Sequence, residues 1–330
     1  MKSTAIANSN IALVKYWGKR DEKLILPTNS SISMTLDKLH TTTTVEFSPS
    51  LKEDQIKIDG KKILGEEAKR VSQHLGLVRK MKGENLFARV ESENNFPKAA
   101  GLASSASAFA ALSLAATKAI GFALSRRELS ILARQGSGSA SRSIQGGYNE
   151  WMKGTKEDGS DSYSKQIAPQ SHWQELRMLV TVLTTKEKKV KSRAGMAQTV
   201  ANSPLYKAWL ETVEKDLETV RSSILEKSLF RLGPCAELNA LKMHSTMMTT
   251  QPHIMYWEPE SIAMMKEVMQ MREDGISAYF TMDGGPQVKI LCLENDAKKI
   301  QKRASELKGV EKTILCSAGE DAKTIEKGLF

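Results

Sequence analysis

Apolar residues follow two rhythms along the chain, alternating over short runs and returning every three to four positions over longer ones. AIANSNIALVKYW, within residues 4–17, predicts an early strand that leads into a loop at Gly18. TLDKLHTTTTVEFSP and QIKIDGKKI read as strands, the second folding back at Asp59-Gly60, a strong hairpin signal. Residues 65–80 follow the helical rhythm, and LFARVESENNF predicts another strand. FPKAAGLASSASAFAALSLAATKAIG (residues 96–121) then gives a helix of mostly small residues. Being apolar all round, it should be buried against a sheet. RRELSILARQ is a short amphipathic helix running into the glycine- and serine-rich GSGSASRSIQGGYNEW.

From about residue 176 the pattern restarts with the β-branched strand LRMLVTVLTT. Helical patterns follow at 203–228, 234–249 and 259–273, then the strands GISAYFTMDGG and QVKILCL, a helix at about 296–307 and a final strand, KTILCS. The restart divides the chain into residues 1–175 and 176–330, each of α+β content. A chain of 330 residues, 40% of them hydrophobic, suits two ordinary cores better than one.

Composition narrows the function. MKSTAIANSN lacks the apolar stretch of a signal peptide, and no uncharged apolar run approaches the ~18 residues of a membrane span, so a cytoplasmic chain without a membrane partner is expected. Cys235, Cys292 and Cys316 lie far apart with no CxxC or Cys/His spacing, which argues for buried free thiols, no disulfide framework and no metal site of the chain's own. The formal net charge of +10 is compatible with nucleic acid, a membrane surface or a small anion. Yet the basic residues are mixed with acidic ones, as in KEKKVKSR, and no RNP-like motif, helix-turn-helix signal or basic tail appears. A solvated basic surface around a polyanion pocket fits better than a nucleic-acid partner.

Within residues 96–121, Gly101, Ser104, Ser105 and Ser107 sit where the helix should begin. A helix start exposes unpaired N–H groups at the positive end of the macrodipole, glycine admits close approach, and serine adds short donors. Such a stretch makes a phosphate cradle; a serine-capped core helix fits the same residues equally well. A Walker A loop is absent.

PKAAGLASSASA resembles the phosphate-binding motif of the GHMP kinase superfamily. NIALVKYWGKRDEKLILPTNSSIS resembles the N-terminal signature of the mevalonate diphosphate decarboxylases within it. ARQGSGSASRSIQGGYNEW, MHSTMMTTQPHIMYWEP and FTMDGGPQVKI resemble further blocks of that family in the same order, so the likeness spans essentially the whole chain. The resemblance implies a two-domain α+β GHMP kinase-like fold with the active site in the interdomain cleft. It implies ATP-dependent decarboxylation of 5-diphosphomevalonate, Mg²⁺ arriving with ATP, and a homodimer.

Residue by residue, the resemblance implies that Asp283 is the catalytic aspartate, Arg142 binds the substrate carboxylate and Lys15 lies beside Asp283. Tyr16, Lys19, Ser137, Ser139, Ser192 and Arg193 match the substrate and diphosphate pocket, while Gly101, Ser104, Ser105 and Ser107 match the ATP cradle. If Lys15 and Arg142 both lie near Asp283, its pKa should fall, leaving a weak general base that orients the hydroxyl and stabilises a developing cation. Trp17, His244 and His253 are expected to be structural. Two departures stand out: DGGPQ where the family has DAGPN, and Lys191 where serine is common. A phosphomevalonate decarboxylase and a mevalonate-type kinase remain as alternatives to the diphosphate reading.

Overall fold

The N-terminal alternation folds as the strand Lys2–Val14, which pairs antiparallel with the long strand Ser31–Ser48. This computed structural model describes residues 1–96, 104–184 and 188–330. Ser31–Ser48 begins before the TLDKLH run because its first residues pair on their other side with Tyr148–Trp151. Among the described residues the first sheet runs Lys323–Ile325, Lys2–Val14, Ser31–Ser48, Phe87–Asn94, Gln55–Ile58, Lys61–Lys62, with Tyr148–Trp151 and Ser164–Ala168 added beside Ser31–Ser48. The expected hairpin is present: Asp59 and Gly60 both take positive φ, 50° and 75°, as a two-residue primed turn requires.

The second sheet orders Tyr279–Met282, Val288–Leu293, Leu176–Val182 and Lys312–Cys316, all antiparallel. Lys323–Ile325 crosses back from the C-terminal end to pair with Lys2–Val14, so the first sheet is not built from residues before 175 alone. Three residues of mixed polarity carry no periodic signal that would have announced the crossing.

Helices Gly65–Lys82, Ser104–Ala119 and Arg126–Gly136 cover the first sheet. The alanines of the middle helix explain its composition: Ala110, Ala111, Ala115 and Ala116 are wholly buried, in one core with Val45, Leu75 and Ile120. Arg126–Gly136 starts at a capping box between Ser125 and Glu128. In the second half, the expected helices at 203–228 and 234–249 are Tyr206–Leu225 and Leu229–Met248, the latter starting before Pro234. Pro259–Glu273 and Glu294–Glu306 follow as expected. Ser192–Asn202 is a further helix hidden in sequence by the charge run before it. Cys292 and Cys316 are buried, Cys235 half-buried, and all three are free.

The halves share a core. Ile11, Leu13 and Val14 pack in one cluster with Met178, Trp209, Leu232 and Met243. Arg221 adds a two-pronged ion pair to Glu150 across the same junction, with both contacts at 2.9 Å. The two walls of the cleft are therefore joined by apolar packing rather than hung on a linker.

Gly233 marks where helix Leu229–Met248 crosses strand Tyr279–Met282; a Cβ there would lie 2.1 Å from the Tyr279 ring. We expect Gly233→Ala to lose about 1–3 kcal/mol in chemical denaturation, the usual cost of overpacking. Unchanged stability would show that this crossing is looser than described.

Candidate active site

A cavity of about 790 Å³ opens between the two halves. Its floor starts at Lys15, one residue beyond the first strand. The Lys15 N–H donates to Asn239 Oδ1 and its carbonyl accepts from Asn29 Nδ2, both at 2.8 Å, so the backbone is held from two sides. The ammonium, only 1% exposed, donates to Ala12 O at 2.7 Å and to Asp283 Oδ1 at 2.8 Å.

Asp283 follows strand Tyr279–Met282 and begins the tight Gly284-Gly285-Pro286 turn, where the Gly285 N–H bonds back to the Asp283 carbonyl at 2.7 Å. Its side chain keeps 23% exposure into the cavity. Lys289, wholly buried on the adjacent strand, places Nζ 3.7 Å from Asp283 Oδ2. Arg142 lies in the 3₁₀ turn Gly138–Ser143, its guanidinium donating to Ser31 Oγ at 2.5 Å and Asn10 Oδ1 at 3.3 Å. Its central carbon sits 5.9 Å from the Trp151 ring centroid.

Burial by itself would raise the Asp283 carboxyl, but Lys15, Lys289 and Arg142 outweigh it and hold it at about 2. Burial pulls Lys15 down to about 8 and Arg142 to about 10, opposed in each case by Asp283. The expected depression of Asp283 is thus present, with Lys289 joining the two cations that the sequence suggested.

The serines form a line. Ser105 Oγ lies 3.2 Å from Ser137 Oγ, which lies 3.4 Å from Ser139 Oγ, linking the first turn of Ser104–Ala119 to the loop that carries Arg142. Ser104 and Ser105 face the cavity. Ser107 does not: it is wholly buried and its hydroxyl pairs with Thr41 Oγ1 at 2.7 Å, in the packing of helix on sheet. It lies on the side of the helix that packs on strand Ser31–Ser48. Gly101 lies outside the described residues.

Tyr16, Lys19, Ser192 and Arg193 line the same cavity. Among the described residues the buried Tyr16 hydroxyl has no hydrogen-bond partner, and its ring meets Trp151 edge-on at 4.7 Å. Burial lowers the Lys19 ammonium, which pairs with Glu22. Trp17 is a packing residue that donates to Thr199 Oγ1 at 3.0 Å. His244, buried against Trp257, is pulled down to about 3 by burial first and then by Lys15, whereas His253 is exposed.

Sequence reasoning missed Lys188 and Lys289. Lys188 donates to Ser192 Oγ at 2.6 Å and to the Gly284 carbonyl, and burial draws it to about 8 against Asp283. It was invisible inside KEKKVKSR, which reads as a solvated run. Lys289 left a signal, a charge in the middle of the apolar strand QVKILCL. The DGGPQ departure finds reasons: a Cβ on Gly284 would lie 2.7 Å from the Trp17 ring. Gln287, one methylene longer than asparagine, is buried and reaches the Leu183 N–H and the Thr184 carbonyl, each at 2.5 Å.

Among the described residues no group of three His, Cys, Asp or Glu could cage a metal, and no helix is long and apolar enough to cross a membrane. The cavity gathers seven cations (Lys15, Lys19, Arg70, Arg142, Lys188, Lys191 and Arg193) with Asp283, Glu66 and Glu67 among its described lining, next to a serine-lined helix start. That is the chemistry of a pocket for polyanions.

Two family models match the chain in succession: the diphosphomevalonate decarboxylase-like N-terminal domain over residues 7–164 and the mevalonate 5-diphosphate decarboxylase C-terminal domain over residues 178–325. The diphosphomevalonate decarboxylase of Candida albicans is 37% identical over 312 residues, covering 90% of this chain and 86% of that relative. The Saccharomyces cerevisiae diphosphomevalonate decarboxylase is 39% identical over 314 residues, covering 90% and 79%. The solved mevalonate diphosphate decarboxylase of Staphylococcus aureus aligns with TM-score 0.93, 41% identity and 98% of each chain. A structure described as "MDDEF in complex with MVAPP, AMPPCP and Magnesium" aligns with TM-score 0.92, 43% identity and 99% of each chain. The chain therefore belongs to the diphosphomevalonate decarboxylase family and has its two-domain α+β fold of the GHMP kinase type.

Proposed function

We infer that this protein catalyses the ATP-dependent decarboxylation of (R)-5-diphosphomevalonate to isopentenyl diphosphate, CO2, ADP and phosphate, a step of the mevalonate route to isoprenoids. The observation that carries this is the Lys15–Asp283–Arg142 set: one ionised carboxylate with a lysine at 2.8 Å, and a buried arginine whose charge also acts on it, in the cleft beside the serine line. A homodimer in the cytoplasm belongs to the same reading on the family resemblance.

The substrate's carboxylate has no neighbouring carbonyl to accept electrons on loss of CO2, so a leaving group must first be made. The 3-hydroxyl oxygen attacks the γ-phosphorus of ATP; the new P–O bond forms as the bond to the β-phosphate oxygen breaks, and ADP leaves. The hydroxyl proton passes to a phosphoryl oxygen or to water. The C3–O bond then breaks with its electron pair on phosphate, positive charge grows on C3, and the C–C bond to the carboxylate gives its pair to the new alkene as CO2 departs.

Each group of the chain answers one demand of that sequence. Ser104 and Ser105, at a helix start, hold nucleotide phosphates, and the Ser105–Ser137 contact places the transferring phosphoryl beside the substrate loop. Ser139, Ser192, Arg193, Tyr16 and Lys19 hold the diphosphate and its chain, with the unpartnered Tyr16 hydroxyl available as a donor. Arg142 offers its fork to the carboxylate. Asp283, held at about 2, stays ionised, aligns the 3-hydroxyl and faces the growing charge on C3. Mg²⁺ lowers the charge on the nucleotide phosphates when bound. Phosphate oxygens and water would hold it, a ligand set that suits a small hard cation.

Incubated with ATP, the protein should release ADP and CO2 together from the 5-diphosphate and neither from the 5-monophosphate; ADP without CO2 would make it a kinase. Asp283→Asn should lower kcat by about 10²–10³-fold or more with small changes in KM, because the charge acts mainly in the transition state. A change confined to KM would remove Asp283 from the chemistry.

The pH dependence has a definite sign. Lys15 and Lys188 work as cations and are drawn to about 8, so kcat should fall as pH rises through that value. Asp283 titrates far lower and should give no acid limb between about pH 5 and 7. A limb centred near pH 6 that disappears in Asp283→Asn would contradict its role as a permanent anion.

A further inference from the structure

We propose that Lys289 is a positioning residue of the decarboxylation, a second buried counter-ion that holds the Oδ2 side of Asp283 while Lys15 holds Oδ1. The proposal deepens the activity inferred above and rests on it.

Register makes the arrangement. Strand Val288–Leu293 lies antiparallel to Tyr279–Met282, with Lys289 directly opposite Thr281. Side chains two residues apart on a strand share a face, so Asp283 continues the face that Thr281 begins, and Lys289 reaches along it. Its ammonium is wholly buried, lies 3.7 Å from Asp283 Oδ2 and donates to the Gln287 carbonyl at 3.2 Å. That carbonyl belongs to the residue whose side chain anchors the turn to Leu183 and Thr184. The lysine is thereby tied to the turn that aims the aspartate.

A buried cation among apolar strand neighbours is costly unless it has a job that a leucine would not do. Among the described residues four cations surround Asp283: Lys15 beyond the first strand, Arg142 from the 3₁₀ turn, Lys188 from the basic segment, and Lys289. His244, from helix Leu229–Met248, packs near the same group as a neutral ring. Lys15, Arg142 and Lys188 all line the cavity where substrates bind, and their contacts are open to change when anions arrive. Lys289 is sealed beneath, out of reach of either substrate. It keeps the carboxylate ionised and fixed in rotation throughout the cycle, whichever anions engage the others. Burial lowers its own ammonium, and Asp283 opposes that.

The test is a ¹³C-carboxyl titration of Asp283 in the full chain, assigned by its loss in Asp283→Asn. In both Lys289→Met and Lys289→Gln we expect its midpoint to rise by about one to three pH units, the effect of removing one close opposite charge. Kcat should drop while the KM values for ATP and the 5-diphosphate hold. An unmoved midpoint in folded Lys289 variants overturns the proposal. If neither variant folds, Lys15→Met decides: with Lys289 in place Asp283 should still titrate below the ordinary aspartate range, and a return to that range overturns it. The titration needs no turnover, so inactivity of the unaltered protein on the 5-diphosphate would refute the assigned reaction without touching this result.

Discussion

A lysine and an aspartate 268 residues apart meet at 2.8 Å at the junction of the two halves, and much of the architecture serves that contact. Lys15 cannot shift without breaking backbone bonds to Asn239 and Asn29, and Asn239 is itself tied to Asp216 at 2.6 Å. Asp283 sits on a turn fixed from below by Gln287 and pressed by Gly284 against Trp17. An ion pair taken from water survives only when its geometry is good and its remaining lone pairs are occupied. Here the apolar cluster shared by both halves supplies the geometry, and Lys289 lies against the other carboxylate oxygen. The pair thus adds a polar tie between the two halves at the site.

In the proposed reaction this arrangement decides what kind of catalyst the aspartate would be. A carboxylate surrounded by cations is stabilised as an anion and disfavoured as a proton acceptor. Phosphoryl transfer through a loose transition state asks little of a base, while a tertiary carbon losing phosphate asks a great deal of a nearby negative charge. The environment matches the second demand. The line Ser105–Ser137–Ser139 would bring the proposed nucleotide and substrate subsites within hydrogen-bond reach of one another, as a direct transfer between bound groups requires.

Much of this was legible in the chain. Helices and strands with strong periodicity, the Asp59-Gly60 hairpin and the buried alanine helix follow from local pattern. The charged set Lys15–Asp283–Arg142 could be named because its sequence blocks resemble those of a family. Other parts were not legible, for identifiable reasons. Ser107 looks like its neighbours Ser104 and Ser105 in sequence, and only the rotation of the helix turns it toward Thr41. Lys188 is hidden in a run of lysines that reads in sequence as a solvated stretch. Lys289 was marked by its place in an apolar strand, but its partner depends on register between strands. The return of Lys323–Ile325 to the first sheet is a long-range pairing with no local cause.

The most direct test of the account is a single-turnover quench of enzyme, ATP and 5-diphosphomevalonate in H2O and in D2O, following ADP and CO2 separately. If Asp283 is a permanent anion that aligns the hydroxyl and faces the positive carbon, the ADP-forming phase should show no resolvable solvent isotope effect. A normal isotope effect on that phase, abolished in Asp283→Asn, would mean that the aspartate takes the proton as phosphoryl transfer occurs, and the electrostatic account would fail.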